Sequence, residues 1–241
     1  GVMSKTLWSN DPQVTILCST YNSSKWIDGY LKSIDNQLLK KFNIIFVDAN
    51  SDDGSLDTIK AHRFREGIQA DIIECDTKVP IYTAWNMAIE RATTPYVINV
   101  NTDDRLYPAG LLLYLQYADR NPEVDVFYAG YVIVSDAEHK NVTALSVPPE
   151  HSHRQLLYAC YCGPFPMLKR ETVIEDGLFN PKYTISGDYE MWLRMSKKGR
   201  NFFKVTEAMG SYYLNPTGMS TDESHFEEHV RQNSEFRAIH A

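Results

Sequence analysis

The sequence predicts an α/β protein built on an open, mainly parallel sheet flanked by helices. Short runs rich in β-branched residues alternate with amphipathic segments from Val14 onward, the pattern of βαβ units. Those runs are mostly apolar, as strands covered by helices on both faces must be. Three of them end abruptly in polar groups: Ser19-Thr20-Tyr21-Asn22, Asp48, and Asn101-Thr102-Asp103-Asp104. Open α/β sheets bind ligands at the carboxyl ends of their strands, so the three endings are expected to line one cleft.

Val14-Thr-Ile-Leu-Cys-Ser19 reads as the first buried strand. Ile27, Tyr30, Leu31, Ile34 and Leu38 then recur at helical spacing on one face. Asn43-Ile-Ile-Phe-Val-Asp48 is the second strand. The turn after it, Ala49 to Ser55, is rich in helix-capping residues, and a helix is expected over 56–65. Asp52 and Asp53 are read as turn residues, and a third short strand is expected over 71–75.

Pro80 can begin a helix whose apolar face is Ile81, Ala84, Trp85, Ala88, Ile89 and Ala92. It leads into a strand over 96–102 that finishes in Asp103 and Asp104. A helix over 111–117 and a strand over 124–134 follow, whereas 141–160 shows no clear period. The last amphipathic helix has Asp188 at its start and Met191, Trp192 and Met195 on its apolar face. Lys197 and Lys198 fill its last turn and Gly199 stops it.

With 241 residues, 43% hydrophobic and 23% charged, the chain has the composition of an ordinary globular protein. One domain is expected over 1–221, with a helical extension over 222–241. The formal net charge of −7 argues against nucleic acid as a partner. No apolar run approaches the roughly 20 residues needed to span a bilayer, and no signal-peptide pattern opens the chain. Contact with a membrane surface stays compatible with the sequence. Cys18, Cys75, Cys160 and Cys162 lack zinc-site spacing. Cys18 and Cys75 fall inside apolar runs as buried thiols, and a reducing cytoplasm fits best.

Two adjacent carboxylates at a strand end repel one another unless a positive group lies between them. A hard divalent cation is the usual answer, although a solvated turn would also accommodate Asp103 and Asp104.

In order and spacing these pieces resemble the family 2 glycosyltransferases, inverting enzymes of the GT-A fold, with a Rossmann-like sheet, that use nucleotide-sugar donors. Ser19-Thr-Tyr-Asn22 is similar to the family's first nucleotide-binding edge. Val47-Asp48 with Asn50-Ser-Asp-Asp-Gly-Ser55 is similar to its strand-two acid and turn. Lys78-Val-Pro-Ile-Tyr-Thr-Ala-Trp-Asn86 resembles the helix before the metal strand. Asn101-Thr-Asp-Asp104 resembles the Asp-x-Asp region, and Gly187-Asp188 the acidic pair that carries the base. Phe165 to Arg170 and Asp176-Gly-Leu-Phe179 also fall where the family has them. The resemblance runs from about Val14 to Thr221.

The resemblance implies that Ser19, Thr20, Tyr21, Asp48, Lys78 and Asp103 bind the nucleotide. It implies Mn²⁺ or Mg²⁺ held by Asp104 with Asp103, because carboxylate and phosphate oxygens suit these ions. Asp188 would be the catalytic base, with Glu190 as fallback, and Asn86, Gly187 and Glu190 would stand near the donor sugar or acceptor. The donor would be a nucleoside-diphosphate sugar, by family frequency a UDP-sugar. The acceptor would be a hydroxyl of a glycan or lipid-linked glycan in bacterial surface polysaccharide synthesis.

Asn101 replaces the first acid of Asp-x-Asp, and Gly187 a common Glu. The late segment Tyr213-Leu-Asn-Pro-Thr-Gly-Met-Ser220 lacks the basic or imidazole group of many relatives, which leaves His225 and His229 as candidates for a third contact. A nucleotidyltransferase or a Rossmann oxidoreductase would need a Gly-rich turn after the first strand, and Ser-Thr-Tyr-Asn-Ser-Ser has no glycine. A non-catalytic sugar-binding module would predict loss of the acid pair or of the late Asp, and both are present.

Overall fold

The computed structural model describes residues 9–214 and 223–241. β1 (Val14–Thr20) pairs in parallel with β2 (Phe42–Asp48), which pairs in parallel with β3 (Ile68–Glu74). β4 (Tyr96–Asn99) joins β1 on its other side, again parallel. The crossovers are α1 (Ile27–Asp35), α2 (Ser55–Ala61) and α3 (Ile81–Arg91). The 3.6-residue spacing identified their buried stripes: Ile27, Tyr30, Leu31 and Ile34 on α1, and Ala84, Trp85, Ala88 and Ile89 on α3.

Leu38 departs from this pattern, because α1 ends at Asp35 and Leu38 is 58% exposed. Past the helix the chain is tied elsewhere: Leu38 N–H donates to Pro108 O (2.8 Å) and Gln37 Nε2 to Tyr107 O (2.8 Å). The helix expected over 56–65 stops at Ala61, and β3 begins at Ile68. β4 is shorter than the strand expected over 96–102. Val100 still bonds to Leu17 O, but the chain then turns so that Asp104 N–H reaches Asn101 O.

After β5 (Arg105–Leu106) and α4 (Gly110–Arg120) come β6 (Val126–Tyr128) and β7 (Tyr131–Val134). The single strand expected over 124–134 is therefore two strands in different sheets. Between them Gly130 passes so close to β8 (Val142–Ser146) that a Cβ would stand 2.6 Å from Ser146 O, and only glycine fits there. Next are α5 (His153–Leu156), β9 (Met167–Lys169), α6 (Arg170–Glu175), α7 (Gly187–Lys197), β10 (Phe202–Lys204), β11 (Gly210–Tyr213) and α8 (Glu223–Ile239).

The main sheet has the order β10-β6-β9-β4-β1-β2-β3, with β9 antiparallel to both neighbours. A smaller sheet, β5-β11-β7-β8, stands beside it. One apolar core holds Tyr30, Phe46 and Tyr114, and a second holds Leu17, Trp85 and Trp192. α8 docks on the second through Phe236, which is fully buried between the rings of Tyr183 and Tyr189. Among the described residues no helix is long and apolar enough to cross a membrane.

Candidate active site

Because β2, β1 and β4 are adjacent and parallel, the three polar strand endings lie along one edge of the sheet. At the β1–β2 end, Asp48 is 1% exposed. Its Oδ1 accepts from the hydroxyls of Thr20 (2.7 Å) and Ser51 (2.7 Å), and its Oδ2 from Ser51 N–H (3.0 Å). The turns after β1 and β2 are further joined by Asp52 N–H to Asn22 Oδ1 and by Asn22 N–H to Ser51 Oγ. Asp53 accepts from Ser24 N–H and from both N–H and hydroxyl of Ser55. Burial opposes its ionised form, but these bonds outweigh it and hold the carboxyl below its ordinary range. Asp52 and Asp53 thus act in the turn, as the sequence suggested.

Tyr21 is 45% exposed, with Lys78 Nζ 4.1 Å from its ring centroid. That flat ring and its cation are open to a ligand at the sheet edge. Ser19 sits half-buried at the end of β1.

The second strand ending is electrostatically different. Asp104 is 1% exposed, and its Oδ1 accepts one hydrogen bond, from Tyr213 N–H at 3.2 Å. Burial and then the charge of Asp103 raise its pKa well above the carboxylate range, and burial raises Asp103 as well. Arg105 spends its guanidinium on the carbonyls of Thr102 (2.6 Å), Asp104 (2.8 Å) and Trp26 (3.2 Å), not on either carboxylate. His139, unremarkable in the sequence, bridges Asp103 O (2.8 Å) and Ser211 Oγ (2.6 Å), pinning the acid turn to the small sheet.

Asn101 Oδ1 is buried beside this pair without a partner among the described residues. Oxygen donors of this kind match Mg²⁺ or Mn²⁺. Among the described residues no three His, Cys, Asp or Glu side chains converge to hold an ion by themselves. A cation here would complete its shell with water and phosphate oxygens, the usual habit of Mg²⁺.

Asp188 opens α7. Its Oδ1 accepts from Tyr189 N–H (2.9 Å) and the Tyr82 hydroxyl (3.1 Å). A helix N-terminus favours the ionised carboxyl, yet burial outweighs this, the hydrogen bonds and the influence of His229, and the pKa is raised. Asp104 and Asp188 line the same cavity, about 570 Å³, together with Asn99, Asn101, Trp85 and Trp192. That volume suits a small ligand.

Other residues singled out in the sequence are committed elsewhere. Asn86 grips Phe179, donating to its O (2.8 Å) and accepting from its N–H (2.9 Å). Glu190 is 1% exposed, held by Arg194 (2.9 and 3.0 Å) and His240 (2.9 Å). Gly187 packs against the ring of Tyr82, where a Cβ would stand 2.8 Å from ring carbon. His229 Nδ1 meets the hydroxyl of Ser186, the residue before α7, at 3.1 Å. The 215–222 part of the late segment and the His225 side chain lie outside the described residues. Tyr82, Trp85, Trp192 and Asn99 reach the cavity from α3, α7 and β4. Their local sequence marks the first three as helix-face residues and Asn99 as an odd polar group in an apolar strand.

The mixed sheet and its acid-edged cleft define the class: a GT-A fold of the glycosyltransferase kind. The chain belongs to glycosyl transferase family 2, whose sequence model matches residues 15–175. It is similar to the amylovoran biosynthesis glycosyltransferase AmsB of Erwinia amylovora, 26% identical over 214 residues, covering 85% of this chain and 70% of that one. It is also similar to the UDP-Glc:alpha-D-GlcNAc-diphosphoundecaprenol beta-1,3-glucosyltransferase WfaP of Escherichia coli, 25% identical over 226 residues. That match covers 94% of this chain and 86% of the relative. Among solved structures, S. aureus TarS 1–349 in complex with UDP shares the fold, with a TM-score of 0.72 at 18% identity. The match covers 93% of this chain but 65% of the TarS fragment.

Proposed function

We propose that the chain transfers a sugar, with inversion, from a nucleoside-diphosphate donor to a hydroxyl of a glycan or lipid-linked glycan. The carrying observation is that Asp104 and Asp188 line one cavity, both with pKa raised by burial. Uridine is the favoured base, since TarS was solved with UDP and WfaP is named for UDP-Glc. WfaP's name also supports a lipid-diphosphate-linked acceptor, and the amylovoran relative supports a role in bacterial surface polysaccharide synthesis. Residues 1–221 form the catalytic unit in this reading, with 222–241 as an extension docked upon it. The four cysteines are free, compatible with the cytoplasmic location expected from the sequence.

Asp104, with Asp103 and Asn101, would hold Mn²⁺ or Mg²⁺. Such an ion supplies Lewis-acid neutralisation of a leaving diphosphate. Asp103 would also contact the ribose, and Tyr21 would offer its exposed ring to the base. Asp188 accepts the proton of the acceptor hydroxyl while that oxygen bonds to the anomeric carbon and the bond to the diphosphate breaks. A group on the metal side of the sugar could not do this, because the attack comes from the face opposite the leaving group.

Calorimetry with UDP should show tighter binding with Mn²⁺ than with chelator, and Asp104→Ala should lose the gain. Equal affinity in both conditions counts against metal dependence. NMR of the product should show the anomeric configuration opposite to the donor's, and retention would rule out a single displacement. Nucleotide binding without transfer to any glycan acceptor would favour a non-catalytic binding module.

A further inference from the structure

The base proposed above has a partner that the reaction scheme leaves unused. Tyr82 is 5% exposed and comes from α3, far from Asp188 in sequence. Its ring lies edge-on to Trp85 (centroids 5.4 Å, 80°) and tilted against Phe179 (5.6 Å). It also lies so close to Gly187 that any Cβ there would collide with it. The ring is therefore fixed on three sides. Its hydroxyl lies 2.9 Å from Ile185 O and 3.1 Å from Asp188 Oδ1.

A phenol has one proton and two acceptors are in reach, so it can donate to one at a time. While Asp188 is ionised, the charged oxygen is the stronger acceptor. Oδ1 then receives both the phenol and Tyr189 N–H, and neither of these two donors is spent on Oδ2. The two oxygens of one carboxylate are thus divided between an atom that these donors anchor and one that they leave free.

We infer that Tyr82 is the positioning residue of the base: it fixes Oδ1 of Asp188 so that Oδ2 accepts the proton of the sugar acceptor. The inference rests on Asp188 being the base. No proton leaves Tyr82 in this scheme. Burial raises its pKa well above that of an ordinary phenol, so it remains a donor throughout. When Asp188 takes up the acceptor's proton, the phenol can turn its own toward Ile185 O, and neither charge state leaves the hydroxyl without a partner. Gly187 belongs to the same device, since its bare Cα admits the ring.

Several other groups act on Asp188. His229 on α8 lowers its pKa, while Cys160 and Cys162 before β9 and Tyr212 on β11 have raised values and stay neutral below the alkaline range. Of these, His229 is the one that lowers the pKa of Asp188, so the test is run in both the natural and the His229→Gln backgrounds.

Tyr82→Phe keeps the ring and removes the donor. Asp188 must be ionised to act, so transfer rises with pH through its pKa. Loss of a donor to the charged form raises that pKa. The acid limb of kcat should therefore move to higher pH by about one unit, the scale of one charge-assisted hydrogen bond. Below the limb kcat should fall about tenfold, since rate there tracks the ionised fraction at one decade per unit. The KM for donor should stay within about twofold, because the phenol touches only the base. Gly187→Ala, which displaces the ring, should move the limb in the same direction, and melting curves check that both variants fold.

A Tyr82→Phe profile superimposable on the natural one, with Asp188→Asn inactive, overturns the inference and leaves the base in place. A loss confined to donor KM overturns it too. If Asp188→Asn transfers normally, the base assignment itself has failed.

Discussion

Asp48 ends β2 and Asp104 follows β4, the strands that flank β1 on either side, and each is 1% exposed. Residue type, burial and sheet edge are shared, yet the two environments are opposite. The carboxylate of Asp48 is filled by two hydroxyls and an N–H. That of Asp104 has one N–H and a second acid next door. Burial alone therefore does not distinguish an architectural acid from a chemical one; the count of satisfied lone pairs does. Asp48 ties the ends of β1 and β2 and the turn after β2 into one rigid unit. Asp104 and Asp188 retain unmet electrostatic demand, which a cation or a transferred proton can meet.

The sharpest test of this contrast is Asp188→Asn. It should lower kcat by a factor of about 10² or more, the usual scale of general-base loss, with UDP affinity and melting temperature nearly unchanged. Glu190→Gln, which weakens the hold on Arg194 and His240, should do the reverse: a lower melting temperature with transfer intact. If Glu190→Gln is dead and Asp188→Asn is active, the base lies at Glu190.

Asp48→Ala comes next. It strands two hydroxyls and an N–H in a buried turn, and should cost about 3 kcal/mol. For a chain of this size that is a fall of about 10 °C in melting temperature. An unchanged melting temperature would show that the turn does not depend on Asp48 and would undo the comparison.

The smallest effect concerns stability at the other acid. Because the folded pKa of Asp104 is raised, the native state binds more protons than the unfolded chain between the ordinary value and the raised one. Stability from this group is present below the unfolded pKa and declines as pH rises through the raised one. Asp104→Asn in chelator should therefore melt a few degrees higher than the natural protein at pH 7, and close to it at pH 4. A lower melting temperature at pH 7 would mean that Asp104 is satisfied after all.

Much of the frame was legible because local chemistry decides it. Alternating apolar runs and helical stripes gave β1 to β4 and α1 to α3, since burying a continuous face requires that period. The acid endings at one edge followed from parallel pairing. Beyond β4 the same method failed over 124–134, where two strands in different sheets read as one. The split is caused by the approach of β8 to Gly130, a contact between segments that no local window contains.

The sequence by itself determined which residues could carry charge into the cleft, because strand ends and a helix start fix their backbone positions. Only the tertiary structure decided what those charges meet: hydroxyls for Asp48, an uncompensated neighbour for Asp104, and the phenol of Tyr82 for Asp188. The pKa of a buried carboxyl depends on desolvation and on donors that arrive from distant segments. Those terms come into being when the chain closes around the cleft, and a linear sequence does not contain them.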